Sequence, residues 1–173
     1  MINFKFDWDK LNIQQKQIYI EKILDNKYLE NALVNLKNNK NDVLVFAETV
    51  KTLAWCIENN RGIILAVEGC NIGKGQFNLD LIYDEVDGDV QCGTGEDGKR
   101  YAMVFTSREK FNKEFPEYSG GVLFWNHALE FFTQYDELDG IIINPGENQL
   151  VLPKDVLMGI VVVLGDIFNN KRD

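Results

Sequence analysis

YAMVFTSREKF, residues 101–111, passes from an apolar strand into a capped helix and decides the fold class. Tyr101 to Phe105 is apolar on both sides of the chain, the pattern of a strand covered on both faces and central in its sheet. Thr106-Ser107-Arg108-Glu109 then has the S/T-x-x-E spacing of a capping box. The Thr106 hydroxyl accepts from a first-turn amide and Glu109 reaches back, so a short helix starts at once and stops before Pro116. Further along, Val122 to Trp125 reads as a strand, Asn126 as a helix cap, and HALEFFTQY as a helix presenting Ala128, Leu129, Phe132 and Tyr135. Ile141 to Ile143 is a third buried strand, broken by Asn144-Pro145-Gly146 because proline lacks a ladder donor and glycine accepts positive φ. A brief strand at Leu150 to Leu152 leads to Pro153, which suits the first position of a last helix with Leu157, Ile160, Val161, Leu164 and Phe168 on its apolar face.

Upstream, the chain is helical before it is extended. Leu11, Ile18, Tyr19, Ile20, Ile23 and Leu24 form an amphipathic helix over 11–24, and Leu29, Ala32, Leu33 and Leu36 give a second stripe at i, i+3, i+4 and i+7. Asp42 caps a third helix whose apolar face is Phe46, Val50, Leu53, Ala54 and Ile57, although β-branched Val43, Val45 and Thr49 also admit a strand. Asn59-Asn60-Arg61-Gly62 ends that helix, and IILAV, 63–67, is the first core strand. Phe77 to Tyr83 alternates as a strand, and Val90–Cys92 with Tyr101–Phe105 frames a hairpin around GTGEDG. This order predicts an α+β fold: a mixed β-sheet packed with several helices and preceded by a helical N-terminus. It leaves the strand order open.

A chain of 173 residues with 45% hydrophobic side chains has the size and apolar content for one core. Twenty-seven acids against 18 bases give a formal charge of −9, which repels phosphate and anionic membrane surfaces and disfavours nucleic acid as a partner. Cys56, Cys70 and Cys92 are odd in number and contain no CxxC pair, so neither a zinc ribbon nor a disulfide framework is expected, and a reducing cytoplasm is the simplest setting. MINFKFDWDK has no secretory n- and h-region, and the longest apolar run, Val156 to Phe168, is too short and too interrupted to span a bilayer.

Three segments carry a family resemblance: IILAV after a helix, the corner YAMVFTSREKF, and LDGIIINPGENQLVLPKDVL, in that order. Together they resemble the SseB protein N-terminal domain family, most specifically in VFTS entering a helix and a later IINPG. The resemblance runs from Leu29 to the C-terminus, dividing the chain into a helical extension, 1–26, and an SseB-like domain, 27–173. It implies a bacterial, non-enzymatic scaffold or regulator, linked by the family's name to serine sensitivity or to secretion systems. Longer relatives carry a second, C-terminal domain, and no function seated there transfers.

The chemistry visible in the sequence is sparse. Gly69-Cys70-Asn71-Ile72-Gly73-Lys74-Gly75 follows a strand, but three residues separate Gly69 from Gly73 where a phosphate loop needs four, and Gly75 stands where Ser or Thr would bind magnesium. Cys70 with His127 as its base would make a nucleophile, yet His127 lies in a first helical turn, where the dipole disfavours an imidazolium. Asp84, Glu85, Asp87, Asp89, Glu96 and Asp97 gather carboxylates without EF-hand spacing, so solvated turns are expected and no metal or cofactor is implied. Trp8, Trp55 and Trp125 read as core, with Trp125 half exposed at its strand-to-helix corner. The corners make structural sense as caps and turns, and if they share one end of the sheet they also offer a contact rim: Thr106, Ser107, Arg108, Trp125, Asn144, Pro145 and Gly146. The reading is therefore a non-enzymatic domain that recognises a protein partner, whose basic surface the acidic chain would complement. The alternative is a small-molecule binder or enzyme built on the Cys70/Lys74 loop.

Overall fold

Asn12 opens the first helix. Its side-chain oxygen accepts from the Gln15 N–H at 2.9 Å and the Gln15 side chain accepts from the Asn12 N–H at 3.0 Å, a reciprocal cap that sets the start of α1 (Ile13–Ile23). The structure, a computed structural model, describes residues 10–68, 77–81, 89–116, 119–146 and 148–170, with backbone alone at 68, 77–81, 89, 119 and 164–170. Ile20 and Ile23 of α1 are buried, whereas Ile18, expected on the same face, points to solvent. In α2 (Lys27–Asn38) the Leu29, Leu33 and Leu36 stripe is buried as expected. The Asp42 carboxylate accepts from the Leu44 and Val45 N–H groups, so the ambiguous segment is a helix, α3 (Val43–Glu58). Its inner face is Thr49, Leu53, Cys56 and Ile57, leaving Phe46 exposed. Thr49 can be buried because its hydroxyl donates to the Val45 carbonyl at 2.8 Å.

The extended part begins with β1 (Gly62–Glu68) and continues with β2 (Phe77–Leu81), β3 (Asp89–Val90), β4 (Cys92–Thr94) and β5 (Arg100–Phe105). Then follow α4 (Arg108–Glu114), β6 (Ser119–Phe124), α5 (Trp125–Gln134), β7 (Gly140–Ile143), β8 (Leu150–Pro153) and α6 (Lys154–Asn170). Three expected boundaries move. The cap of α4 is Ser107, whose hydroxyl accepts from Lys110 N–H, and not Thr106. The cap position of α5 is Phe124, not Asn126, because the Trp125 N–H is held by the Arg61 carbonyl across the sheet at 3.0 Å. Pro153 closes β8 opposite Gly140 and the last helix starts at Lys154, so the proline is not its first residue.

The main path of the sheet is β2-β6-β1-β5-β7-β8. β1 is antiparallel to both neighbours, β5 is parallel to β7, and β2 is parallel to β6, so the sheet is mixed and the fold is α+β. β1 and β5 pair only at Ile64↔Phe105 and Leu65↔Val104 before they splay. The segment 89–94 fills the gap: β3 pairs with β1, Gln91 N–H donates to the Ala66 carbonyl, the Gln91 carbonyl accepts from Met103 N–H, and β4 pairs with β5.

Alternation along the strands divides the core into two layers. Ile63, Leu65, Val67, Ala102, Val104, Ile141 and Ile143 face a cluster supplied by α2, α3, α5 and α6. Ile64, Ala66, Phe105 and Val122 face a smaller cluster made with Ile20 and Ile23 of α1, Leu24 at its C-terminal cap, and Phe111 of α4. Gly120 permits that second layer, since a Cβ there would lie 2.9 Å from the Ile64 methyl and 3.1 Å from the Phe111 ring. Among the described residues no helix is long and apolar enough to cross a membrane.

Candidate functional site

The two corners do meet. β5 and β7 run side by side with Val104 opposite Ile143, so Thr106 and Asn144 leave the same end of the sheet together. Thr106 N–H donates to Asn144 Oδ1 at 2.9 Å, and Asn144 Nδ2 donates to the Thr106 hydroxyl at 2.9 Å. That hydroxyl donates in turn to Glu30 Oε1 of α2 at 2.7 Å. Asn144 reaches this position with φ of 50°, a left-handed conformation that asparagine tolerates, and its own N–H donates to the Val104 carbonyl. From the other side, Asn26 Nδ2 donates to the Gly62 carbonyl at 2.8 Å and to the Thr106 carbonyl at 2.9 Å, and Asn26 Oδ1 lies 3.5 Å from Trp125 Nε1. Asn26, Thr106 and Asn144 are all buried.

This arrangement changes what the expected rim can offer. Thr106, Trp125 and Asn144 lie inside the protein, Trp125 with no exposure at all instead of the half exposure expected of it. Their polar groups satisfy one another and the ends of β1 and β5. Ser107 and Arg108 are half-buried, and Arg108 pairs with Glu21 of α1 at 3.4 Å. Pro145 is half-buried and Gly146 exposed; Pro145 joins Glu109, Lys110, Lys113 and Glu114 around a depression of only about 80 Å³.

The thiol chemistry is unpromising where it can be seen. Cys70 and Lys74 lie outside the described residues. Cys56 is buried, which pushes its thiol up to about 11, and burial also raises Cys92 despite the neighbouring Arg100. Both are held as thiols rather than thiolates at neutral pH. His127 packs edge-on against Phe124, ring centroids 6.0 Å apart, in the first turn of α5. Of the acidic cluster, Asp84, Glu85 and Asp87 lie outside the described residues. Asp97 stays exposed on its turn and accepts from the hydroxyl of the buried Tyr101 at 2.7 Å. Among the described residues no group of three potential metal ligands converges.

A different surface emerges on α2 and α3. Tyr28, two-thirds exposed, meets Trp55 edge-to-face at a centroid distance of 5.2 Å, and the Arg61 guanidinium carbon lies 5.6 Å from the Trp55 ring centroid. Tyr28, Lys51, Thr52 and Trp55 line a cleft of about 360 Å³. Leu44, at the start of the same side of α3, is 75% exposed. Trp55 was expected in the core. The signal that places it outside is its register: Lys51 and Glu48, four and seven residues earlier, put Trp55 on the charged stripe of α3.

The SseB protein N-terminal domain model matches residues 64–158, more than half of the 173-residue chain. The chain belongs to the SseB N-terminal domain family. The match takes in β1 through the first turn of α6, including both corners of the polar knot, and so confirms the resemblance carried by YAMVFTSREKF and IIINPG. The SseB segment does not contain Asn26 or Glu30, which complete its knot from α2 and from the residue before it. No curated protein and no solved structure matches the chain.

Proposed function

We propose that this SseB-family chain is a non-enzymatic protein-interaction or regulatory domain, and that it meets its partner on the α2–α3 face around Tyr28 and Trp55. The observation that carries this reading is an edge-to-face aromatic pair kept at the surface beside a 360 Å³ cleft. Tyrosine and tryptophan offer large contact area at small conformational-entropy loss, which is why they dominate the energetic centres of interfaces. The polar groups at the sheet corners are engaged in holding elements together, and the described cysteines have raised thiol pKa values. Those features support contact over catalysis.

A photo-crosslinking residue placed at Tyr28, with Ser107 as the comparison position, tests the reading in cells of the source organism. A discrete crosslinked protein is expected from position 28 and not from 107, and Trp55→Ala should abolish it, since an aromatic interface anchor contributes about 2 kcal/mol or more. Crosslinking confined to position 107, or unchanged by Trp55→Ala, would refute it.

A further inference from the structure

The geometry points to the chemistry of the partner: the α2–α3 cleft takes an apolar or aromatic side chain of a protein segment that carries a carboxylate beside it. This inference rests on the interaction reading above and specifies its ligand. The cleft walls supply the apolar half, through the Trp55 ring, the Tyr28 ring and the hydrocarbon stem of Lys51. The cleft is shallow and open, with room for one large side chain to lie against the two rings.

Charge complementarity supplies the other half. The chain carries −9 overall, yet Lys51 lines the cleft and the Arg61 guanidinium lies over the Trp55 ring, so two cations stand at the aromatic pair. Among the described residues Lys51 is joined only to Glu48 of its own helix, at 2.9 Å, with both side chains about 70% exposed. Such a pair is weak and exchanges readily for an incoming carboxylate. Arg61 donates from one terminal nitrogen to the Lys22 carbonyl at 2.9 Å, and its Nε has no acceptor among the described residues. Among the described residues its guanidinium is held by a neutral carbonyl and an aromatic face and makes no direct ion pair. An acidic neighbour on the incoming segment would be attracted to these cations, while a basic one would be repelled at the same spot. At physiological ionic strength charges beyond about 8 Å are largely screened, so the preference is set at the cleft itself, by Lys51 and Arg61 against Glu48.

Selection of phage-displayed random dodecapeptides on the full chain, with counter-selection on Trp55→Ala, tests this directly. Recovered peptides should place Phe, Trp, Leu or Met within two residues of Asp or Glu. They should bind the Trp55→Ala protein at least about tenfold more weakly. Lys51→Glu, an exposed change that leaves the fold intact by circular dichroism, should shift the preference towards Lys or Arg by about tenfold. Trp55-dependent peptides without acidic enrichment, or with a preference unmoved by Lys51→Glu, overturn the partner chemistry and leave the cleft as an interaction site. Peptides indifferent to Trp55→Ala, or no peptide at all, overturn both. A Trp55-dependent dimer in sedimentation would make a second copy the occupant and likewise overturn the carboxylate-bearing partner.

Discussion

Replacing Asn26 by alanine isolates the polar knot that joins the N-terminal helices to the SseB segment. Asn26 is 2% exposed, and its two amide protons reach the Gly62 and Thr106 carbonyls at 2.8 and 2.9 Å. Asn26→Ala removes both donors at once. A buried polar group stripped of its partner is destabilised by about 1–3 kcal/mol, so two carbonyls give a loss of about 2–6 kcal/mol. Against a total of about 5–15 kcal/mol for a domain, that is a large fraction. Urea unfolding followed by circular dichroism at 222 nm should show a lower midpoint with an unchanged slope. Asn39→Ala is the control, because Asn39 bonds to Asn35 on an exposed turn and its loss should stay within about 0.5 kcal/mol. If Asn26→Ala were as mild as Asn39→Ala, the knot would not be the tie described here.

Gly140→Ala should prevent stable folding or lower the urea midpoint by the equivalent of about 3 kcal/mol or more. Its Cβ would collide with the Leu152 carbonyl oxygen and lie 2.9 Å from the Pro153 Cα, both backbone atoms that cannot swing aside. In the folded protein Cys56 should resist a thiol reagent at pH 8 and react only on unfolding, because it is buried and its thiol is pushed up to about 11; mass mapping of the labelled cysteine decides this. The Tyr101–Asp97 hydrogen bond predicts two pH limbs. It raises the Tyr101 phenol to about 12, so the stability it gives is intact below the ordinary value of 10 and is lost as pH climbs towards 12. The same bond lowers the Asp97 carboxyl, so its contribution is intact above 3.8 and fades as pH falls through the lowered value. Urea midpoints across pH for the wild type and Tyr101→Phe should converge at both extremes, Cys56 adding its own alkaline loss to both proteins; parallel curves would refute the link.

The strands and helices were legible in the sequence because each buried run is bounded by chemistry that stops it. Asp42 as a cap, Asn59-Asn60-Arg61-Gly62 as a terminator and IILAV as a core strand stand as read. Boundaries failed where a long-range bond chose between neighbours of equal local merit. Thr106 and Ser107 are both good caps, and only the bond from Thr106 N–H to Asn144 assigns the cap to Ser107. Trp125 starts α5 because Arg61, far away in sequence, holds its amide. The meeting of Thr106 with Asn144 could be posed from the order of the corners, but not that Asn26 and Glu30 would seal them from solvent. The Tyr28–Trp55 cleft was missed because tryptophan is usually core, and the register that exposes it was outweighed by that tendency.

The wedge formed by residues 89–94 gives the sheet a seam. β2, β6 and β1 make one three-stranded panel, with six residue pairs between β6 and β1, and β5, β7 and β8 make another, with four pairs at each ladder. Directly, the panels share two ladder pairs; the other backbone pairing across the joint passes through β3, Gln91 and β4. Withdrawal of this short insert would free the Gln91 and Met103 amides together while both panels stayed paired. The molecule therefore has a preferred line along which to breathe, and amide exchange should start there, well before either panel comes apart.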